Sequence, residues 1–367
     1  MRILYVTTVP GTMKFFLAHF KVLIEEGHTI ELACNCGYNI PDSIHELGSV
    51  IHNIPFSRSP FSRGNIAAIK ELKNLVKANK YDIVHTHTPN ASACVRLACR
   101  NLRKHGLKVF YTAHGFHFYK GAPLKNWLIY YPVEWLLAHW TDKLITINQE
   151  DYTLAQKCMH AKEVLYLPGV GIDLTRFGGS AMDKDRKRKE LDIPINATLL
   201  ISVGELNKNK NHEIVIKAIK DMDVHYIIVG NGDKREYLQN LIDDEGLTGR
   251  VKLLGYRSDV KDLYITSDIF AFPSFREGLS VALMEAMASG LPCVVSRIRG
   301  NIDLIDENGG ALFDPHSVEE CRNAINKVLS NNSVKFDAYN ANKIRQFGNL
   351  NVLEEIKNIY TYENVCR

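Results

Sequence analysis

Residues 273–292 read PSFREGLSVALMEAMASGLP, and the interpretation of the whole chain starts from this stretch. The apolar run IFAF directly before it predicts a short buried strand that ends at the proline. Apolar residues then recur through residues 280–289 and predict a helix, which Gly290 and Pro292 terminate. A strand that passes through a short loop into a helix is the repeating unit of α/β proteins.

Two carboxylates, Glu277 and Glu285, lie on either side of the start of this predicted helix. The backbone amides of Gly278, Leu279 and Ser280 lie between them. Because a helix start offers unpaired donors and positive partial charge, it attracts phosphate. A nucleotide sugar carries hydroxyls at both ends and phosphates in the middle, so the arrangement suits such a ligand.

A purely structural role for both carboxylates is the alternative. Glu277 would then only complement the helix dipole, and Glu285 would be a solvated helix residue. Glu285 is nevertheless surrounded in sequence by apolar residues such as Met284 and Ala286, where an unpartnered charge is costly. This context favours a binding role.

The sequence EGLSVALMEAMASGLPCVVS resembles the signature of the retaining family 4 glycosyltransferases, which take a sugar from a nucleotide donor. The segments HTHTPNASACVRLA and SVGELNKNKN resemble the bacterial branch that builds capsular and exopolysaccharide repeat units, and the resemblance covers nearly the whole chain. It implies that Glu277 holds hydroxyls of the donor sugar and that Glu285 holds the ribose. It also implies the GT-B arrangement, in which two Rossmann-like domains face a cleft.

The composition is that of an ordinary globular enzyme. The chain has 367 residues, of which 46% are apolar and 23% charged, enough for two domains. A net charge of +4 argues against a nucleic-acid partner. We expect a cytoplasmic protein, because no signal-peptide pattern opens the chain and no apolar run reaches the roughly 20 residues that span a bilayer. The eight scattered cysteines indicate reduced thiols, and Cys34 with Cys36 is a weak metal motif.

Strand-like and helical segments alternate along the chain and predict an α/β fold with two doubly wound parallel sheets. Seven such strands are predicted in the first half: RILYVTT, HTIELAC, SVIHNIP, YDIVHTH, LKVFYTAH, DKLITIN and EVLYLPG. We expect an acceptor-binding domain at 1–175, a nucleotide-sugar domain at 176–345, and a final helix within 346–367 that packs back on the first domain. The charged run at 183–194 is interpreted as a linker or an exposed helix.

Two predicted strands end in histidine-rich sequences, VHTHTP and AHGFHF. His85 and His87 point to one face of a regular strand, and with His114 they form a candidate metal site. No carboxylate motif accompanies them. The family resemblance implies instead that His114 lies beside the donor sugar at the reaction centre, with His117 in support.

Further donor-binding candidates follow other predicted strands. Gly11, after the first strand, lets the backbone approach phosphate or sugar. Lys208 and Lys210 at the start of a helix predict a diphosphate site. The resemblance makes Lys210 the principal cation, and Glu205 stands where the family commonly has an arginine.

The loop that holds Tyr256 and Arg257 is expected, from the resemblance, to meet the nucleotide base. The nearby sequence GNGDKR lacks the third glycine of a dinucleotide fingerprint, which argues against a nicotinamide enzyme.

The segment 123–140 contains all three tryptophans, Trp127, Trp135 and Trp140, together with Tyr130 and Tyr131. Core packing explains such a cluster, but we hypothesise an aromatic-lined groove or membrane-facing surface for a lipid-linked acceptor. The lysine-rich face of the helix at 64–80 predicts contact with anionic membrane; a solvated face is the alternative.

The resemblance implies retaining transfer of a hexose or N-acetylhexosamine from a UDP donor to a glycan, which we expect to be carried on undecaprenyl diphosphate. His114, Glu277 and Lys210 are the predicted catalytic residues, and no metal is required if Lys210 and the helix start carry the leaving charge. A non-catalytic nucleotide-sugar-binding protein stays open because of Glu205, as does a metal-dependent hydrolase that uses the histidines. A glycosidase is disfavoured because its two carboxylates must flank one bond.

Overall fold

The computed structural model describes residues 1–60, 62–177, 183–330 and 333–361. The chain forms two compact units. The first consists of Met1–Gly171 together with the C-terminal segment that begins at Asn349, and the second is Ile172–Gly348.

The first unit is built on a parallel sheet whose strands are the seven that the sequence predicts. They are β1 (Arg2–Val6), β2 (Thr29–Cys34), β3 (Ile51–Asn53), β4 (Ile83–Thr86), β5 (Lys108–Ala113), β6 (Lys143–Thr146) and β7 (Glu163–Tyr166). Their order is β3-β2-β1-β4-β5-β6-β7. The chain therefore winds outward from β1 in one direction and then from β4 in the other, so the winding reverses between these two strands.

Among the described residues of this unit, six α-helices precede its C-terminal segment. They are α1 (Leu17–Glu25), α2 (Asp42–His45), α3 (Gly64–Asn79), α4 (Pro89–Cys99), α5 (Leu124–Ala138) and α6 (Gln149–Cys158), and a 3-10 turn at Pro10–Phe16 leads into α1. Helix α3 illustrates how a helix buries one face and exposes the other. Its residues Ala68, Leu72 and Val76 recur every four positions and are buried, while Lys70 and Lys73 face solvent.

The second unit has a parallel sheet of the same kind. Its strands are β8 (Thr198–Val203), β9 (Val224–Val229), β10 (Val251–Gly255), β11 (Ile269–Phe272), β12 (Cys293–Ser296) and β13 (Gly310–Phe313), in the order β10-β9-β8-β11-β12-β13. Its helices are α7 (Lys184–Glu190), α8 (His212–Ala218), α9 (Arg235–Asp244), α10 (Val260–Thr266), α11 (Val281–Ala288), α12 (Asn301–Leu304), α13 (Val318–Ser330) and α14 (Ser333–Lys343). The predicted α/β class with two parallel sheets is confirmed.

Two segments of this unit differ from a simple sequence interpretation. Strand β13 is not among the predicted strands. The charged run at 183–194 contains helix α7, and its Arg188 is buried: the guanidinium donates to the carbonyl of Thr266 and pairs with Asp268 at 2.8 Å. Helix α7 is therefore anchored to the second unit through a buried cation.

The final helix, α15 (Asn349–Thr361), belongs to the first unit. It buries Val352, Ile356 and Ile359, the face that its spacing predicts, and the Nζ of Lys143 donates to the carbonyl of Ile359 at 2.6 Å. The predicted return of the terminal helix to the first domain is confirmed.

Among the described residues, the helices are all too short or too polar to cross a lipid bilayer.

Candidate functional site

The site of the second unit lies where the winding of its sheet reverses, between β8 and β11. In open parallel sheets, ligands bind outside the carboxyl ends of the strands at such a point. The loop after β8 carries Lys210 and the loop after β11 carries Glu277. Their side chains meet, with Nζ of Lys210 2.8 Å from Oε1 of Glu277, and remain 19% and 15% exposed. Two residues that the sequence predicts separately are thus brought together.

Backbone contacts fix these two loops to each other. The amide of Phe275 donates to the carbonyl of Asn209 at 2.8 Å, and the side-chain amide of Asn209 donates to the carbonyl of Arg276 at 2.9 Å. The Nζ of Lys210 also lies 4.7 Å above the ring of Phe272. The cation and the carboxylate are therefore held in position by groups other than each other.

The start of helix α11 provides backbone donors beside this pair. The hydroxyl of Ser280 accepts from the amide of Leu283 at 3.3 Å and caps the helix. Within the described ranges, the amides of Gly278, Leu279 and Ser280 donate to no protein acceptor. Unpaired backbone donors at the positive end of a helix are features that suit an anion.

The loop after β12 supports this helix start, and sequence reasoning missed it. Gly300 has φ +77°, and a Cβ there would lie 2.2 Å from the carbonyl oxygen of Gly278. The Nε of Arg299, which is buried, donates to the carbonyl of Glu277 at 3.2 Å. The available signal was Gly300, four residues after the end of a predicted strand, because a glycine in such a loop indicates close approach of two backbones.

Glu285 is half-buried on α11, where it is one turn beyond the helix start. The hydroxyl of Tyr264 donates to its Oε2 at 3.3 Å. Burial raises the pKa of Glu285, and the Tyr264 hydrogen bond and the positive charge of Arg176 oppose this rise. A carboxylate that is incompletely compensated by the protein is suited to accept hydrogen bonds from a ligand.

The remaining predicted donor residues are more exposed. Lys208 has no ion-pair partner within the part of the chain that the structure describes. The carboxylate of Glu205 accepts from the side-chain amide of Asn207 at 2.9 Å. Tyr256 is 80% exposed, whereas the guanidinium of Arg257 pairs with Asp259 at 2.6 Å and so is already engaged.

In the first unit the winding reverses between β1 and β4. Gly11 lies in the 3-10 turn after β1, and a Cβ there would meet no atom within 4 Å. The protein itself therefore does not require a glycine at this place. His87 follows β4 directly, so the two positions occupy the end of the sheet where ligands are expected.

A histidine cluster extends from this sheet end into the core. The Nδ1 of His87 lies 3.2 Å from the Nε2 of His114, and the rings of His85 and His87 are 4.2 Å apart. Both nitrogens of His85 are engaged, one with the hydroxyl of Tyr360 and one with that of Thr112 at 2.8 Å. The structure thus brings together the three histidines that the sequence singles out, but His85 has no free lone pair for a metal.

No group of three or more histidine, cysteine or acidic side chains is placed to hold a metal ion within the described residues. The sulfurs of Cys34 and Cys36 lie 4.0 Å apart. His117 packs against Tyr130, with ring centroids 4.7 Å apart.

The hydrogen bonds of the cluster favour one tautomer. The Nε2 of His87 is buried and has no partner among the described residues. Because a buried unpaired N–H is rarer than an unpaired acceptor, the proton of His87 is favoured on Nδ1, from which it is donated to the Nε2 of His114. His114 then carries its own proton on Nδ1.

Burial keeps the three clustered histidines neutral, together with His19 of α1, which is also buried. It lowers the pKa of His114 and His19 to about 4, and it lowers the pKa of His85 and His87 well below the ordinary value. The unfolded chain therefore binds more protons between about pH 4 and the unfolded histidine pKa of about 6.5, so stability falls as the pH decreases through this range.

We expect the imidazole signals of His19, His85, His87 and His114 to stay in the neutral form down to pH 5, and the melting temperature to fall from pH 7 to pH 5. Side-chain ¹H–¹⁵N spectra, assigned by single histidine-to-glutamine variants, measure the first, and thermal denaturation measures the second. Titration of His87 or His114 near pH 6.5 would contradict the neutral assignment.

The aromatic segment divides between core and surface. Trp127 and Tyr131 pack on the buried ring of Phe118, at centroid distances of 5.6 and 5.3 Å. Leu124 and Leu128, by contrast, are largely exposed on α5. Core packing explains the first group, and the exposed leucines leave an apolar surface that the fold does not use.

Comparison with known proteins identifies the family of this chain. Residues 183–347 match the family described as Glycosyl transferases group 1, and residues 2–148 match Glycosyl transferase 4-like. The putative glycosyltransferase EpsD of Bacillus subtilis (strain 168) is 36% identical over 318 residues, which cover 84% of this chain and 82% of EpsD.

Two further proteins extend the comparison over the whole chain. The Escherichia coli UDP-Gal:alpha-D-GlcNAc-diphosphoundecaprenol alpha-1,3-galactosyltransferase is 30% identical over 383 residues, which cover 98% of this chain and 96% of that protein. The crystal structure of Anabaena HepE in complex with UDP and glucose superposes with a TM-score of 0.79 at 20% identity, and covers 99% of this chain and 100% of HepE. The chain therefore belongs to the family 4 glycosyltransferases of the GT-B fold, in the exopolysaccharide branch that its sequence resembles.

Proposed function

We propose that this glycosyltransferase moves a hexose or N-acetylhexosamine from a UDP donor, with retention of configuration, to a glycan carried on undecaprenyl diphosphate. The observation that carries the donor side is the Lys210–Glu277 pair beside the unpaired amides of Gly278 and Leu279. The name of the Escherichia coli relative gives UDP-Gal as its donor and a diphosphoundecaprenol as part of its acceptor, which supports the proposal. The HepE crystal structure, a complex with UDP and glucose, gives the same support to a uridine donor.

In the proposed reaction, the bond between the anomeric carbon and the diphosphate oxygen breaks, and the acceptor oxygen bonds to the same face of the sugar. Lys210 and the amides before α11 take the negative charge of the departing UDP, and the departing diphosphate oxygen takes the acceptor proton. Glu277 accepts hydrogen bonds from the donor sugar, and Glu285 from the ribose. This protein-derived positive charge accounts for leaving-group stabilisation without a metal ion.

The first unit binds the acceptor in this proposal. His114, neutral and held by His87, offers an Nδ1–H to the donor sugar at the reaction centre. Gly11 and Lys208 add contacts to the donor, and Tyr256 with the backbone of its loop meets the base. In this proposal Arg257 helps to shape the loop that meets the base and offers no free charge to the donor, because its guanidinium pairs with Asp259.

A thermal-shift panel of nucleotides and nucleotide sugars tests the donor. We expect UDP and UDP-sugars to raise the melting temperature, because a ligand at 100 times its Kd stabilises the native state by about 2.7 kcal/mol. ADP and GDP are the matched controls, and EDTA is expected to leave the shift unchanged. The absence of a shift with every uridine nucleotide, or a shift that needs added divalent metal, would overturn the proposed site chemistry.

A non-catalytic nucleotide-sugar-binding role is favoured only by the exposed carboxylate of Glu205, near Lys210 in the same loop. Turnover separates the two functions. Release of UDP that depends on acceptor supports transfer, and donor binding with no release in the presence of lipid-linked acceptor supports the binding role.

We also propose a cytoplasmic location at the surface of an anionic membrane. Leu124 and Leu128 expose apolar surface on α5, and Lys70, Lys73 and Lys77 form the exposed face of α3. Apolar surface combined with lysines, each worth about 1 kcal/mol near anionic lipid, is typical of such contact.

Co-sedimentation with vesicles measures this contact. We expect binding to vesicles that contain phosphatidylglycerol at low salt, weaker binding at high salt, and a clear loss in Leu128→Asp. Vesicles of phosphatidylcholine alone are the control. Equal binding to both kinds of vesicle, or binding to neither, would rule out electrostatic contact with an anionic membrane.

A further inference from the structure

An apolar groove of about 700 Å³ in the first unit is lined by residues of α3, α4 and α5. Its inner end lies at the carboxyl ends of the strands, where Thr8 and Gly115 line it. Gly115 directly follows His114, the proposed reaction-centre residue. The volume is within the range of about 300–1,000 Å³ that small-molecule sites have.

Exposed aliphatic side chains form the walls of the groove. Ile66 is 70% exposed and Val133 is 48% exposed, and Leu97 and Ile129 add to the same surface. Contiguous apolar surface of this kind in a globular fold marks a binding site rather than ordinary exposure of single residues. The groove therefore suits a hydrocarbon ligand better than a free oligosaccharide.

Negative charge in the groove is neutralised by the protein. Glu134 is the acidic residue that lines the groove, and its Oε2 pairs with Nη1 of the buried Arg96 at 2.8 Å. The remaining lining charges are the exposed Arg58 and Arg63, and neither has an ion-pair partner within the described ranges. The net charge offered to a ligand is thus positive.

The positive and apolar parts of the groove are arranged along its length. The side-chain amide of Asn90 donates to the carbonyls of Ser57 and Arg58, which holds the arginine loop at the first turn of α4. Leu97 is seven residues further along α4, about 10 Å away along the helix axis. The cations therefore lie near the strand ends, and the apolar surface runs from Ile66 beside Arg63 to Leu97 further along α4.

We propose that this groove binds the diphosphate and the first isoprene units of a polyprenyl-diphosphate acceptor, with Arg58 and Arg63 on the diphosphate and the chain between α4 and α5. The inference rests on the proposed lipid-linked acceptor. It explains the order of charge and apolar surface, because the glycan attached to the diphosphate then extends past Gly115 toward His114.

Binding of farnesyl diphosphate to the full chain tests the groove. Saturating UDP is present throughout, so that the diphosphate cannot bind at the donor site, and calorimetry measures the affinity. We expect wild type to bind farnesyl diphosphate at least tenfold more tightly than farnesol or inorganic pyrophosphate. Val133→Asp and Arg63→Gln are each expected to weaken binding at least tenfold.

Matched control variants show whether an effect on binding comes from the groove or from any change of surface charge. Val50→Asp changes a valine of the same unit that is 57% exposed and lies outside the groove, and Arg186→Gln removes an exposed arginine of the second unit. Both are expected to bind farnesyl diphosphate as wild type does. Unchanged melting temperatures show that Val133→Asp and Arg63→Gln are folded.

Three results would overturn the inference: no binding by wild type, equal weakening in the controls, or equal affinity for dihexanoyl phosphatidylglycerol. These results leave the donor proposal intact, since UDP-sugar binding is measured separately by thermal shift. If wild type binds farnesyl diphosphate but no UDP-sugar, that result would instead contradict the donor site and support the groove.

Discussion

Replacing Lys210 with alanine is expected to lower kcat at least about a hundredfold, the size typical of losing one preorganised charge contact in a transition state. Lys210 is the cation of the second unit that lies against both Glu277 and the ring of Phe272. Its charge would be opposite the departing diphosphate, so the loss acts on the transition state rather than on substrate capture. Steady-state release of UDP with saturating donor and lipid-linked acceptor measures it.

The fold is expected to tolerate this change. The backbone contact from Phe275 to Asn209 and the side-chain contact from Asn209 to Arg276 keep the two loops together without the lysine. A partly exposed ion pair contributes only about 1 kcal/mol to stability. The melting temperature of Lys210→Ala should therefore fall only slightly, although its kcat falls at least about a hundredfold.

Matched variants decide whether the effect belongs to the site. Lys217→Ala removes a half-exposed lysine of α8, paired with Glu213 at 3.5 Å, and should leave the rate unchanged. Glu277→Gln should also cost about a hundredfold, and the double variant with Lys210→Ala should lose little more than either single, because both residues act on one bound donor. Unchanged rates in both single variants would refute the assignment.

Gly300→Ala is expected to lower kcat/KM for the donor by about a hundredfold or more and to lower the melting temperature. A Cβ would lie 2.2 Å from the carbonyl oxygen of Gly278, so the backbone before α11 must move. A shift of about 1 Å in a site that positions substrate costs about a hundredfold. The positive φ of +77° adds roughly 1–2 kcal/mol of strain for a residue with a side chain.

Gly246→Ala is the matched control for this variant. Gly246 has φ +68°, but a Cβ there meets no atom within 4 Å. It should therefore share the loss of stability and keep the donor kinetics of wild type. Wild-type KM and kcat in Gly300→Ala would show that the loop after β12 does not position the donor site.

Much of the fold could be predicted because its strands are short apolar segments in the sequence, as the seven strands of the first unit show. Strand β13 was not predicted because it begins at Gly310, a residue that strand propensity disfavours. In the folded chain a Cβ at Gly310 would lie 1.9 Å from the carbonyl oxygen of Cys293, so close strand packing requires the glycine. Tertiary contact overrides local preference there.

The site was predictable as a set of residues but not as an arrangement. Glu277 and Lys210 each follow a predicted strand, yet their ion pair joins residues 67 positions apart. It exists because β8 and β11 are neighbours, and strand order is not encoded in any local pattern. The same limit hid Arg299 and Gly300, whose role depends on which loop lies against Gly278.

The last helix also constrains how the protein is made. Tyr360 of α15 packs on Phe110 of the first unit, with ring centroids 5.6 Å apart, and covers His85. A ribosome must therefore synthesise all of the second unit before the first can close its core. The first unit is synthesised first but completes its core only when α15 has been made. Until then, the apolar surface that α15 covers is exposed on the nascent chain and is a target for chaperones.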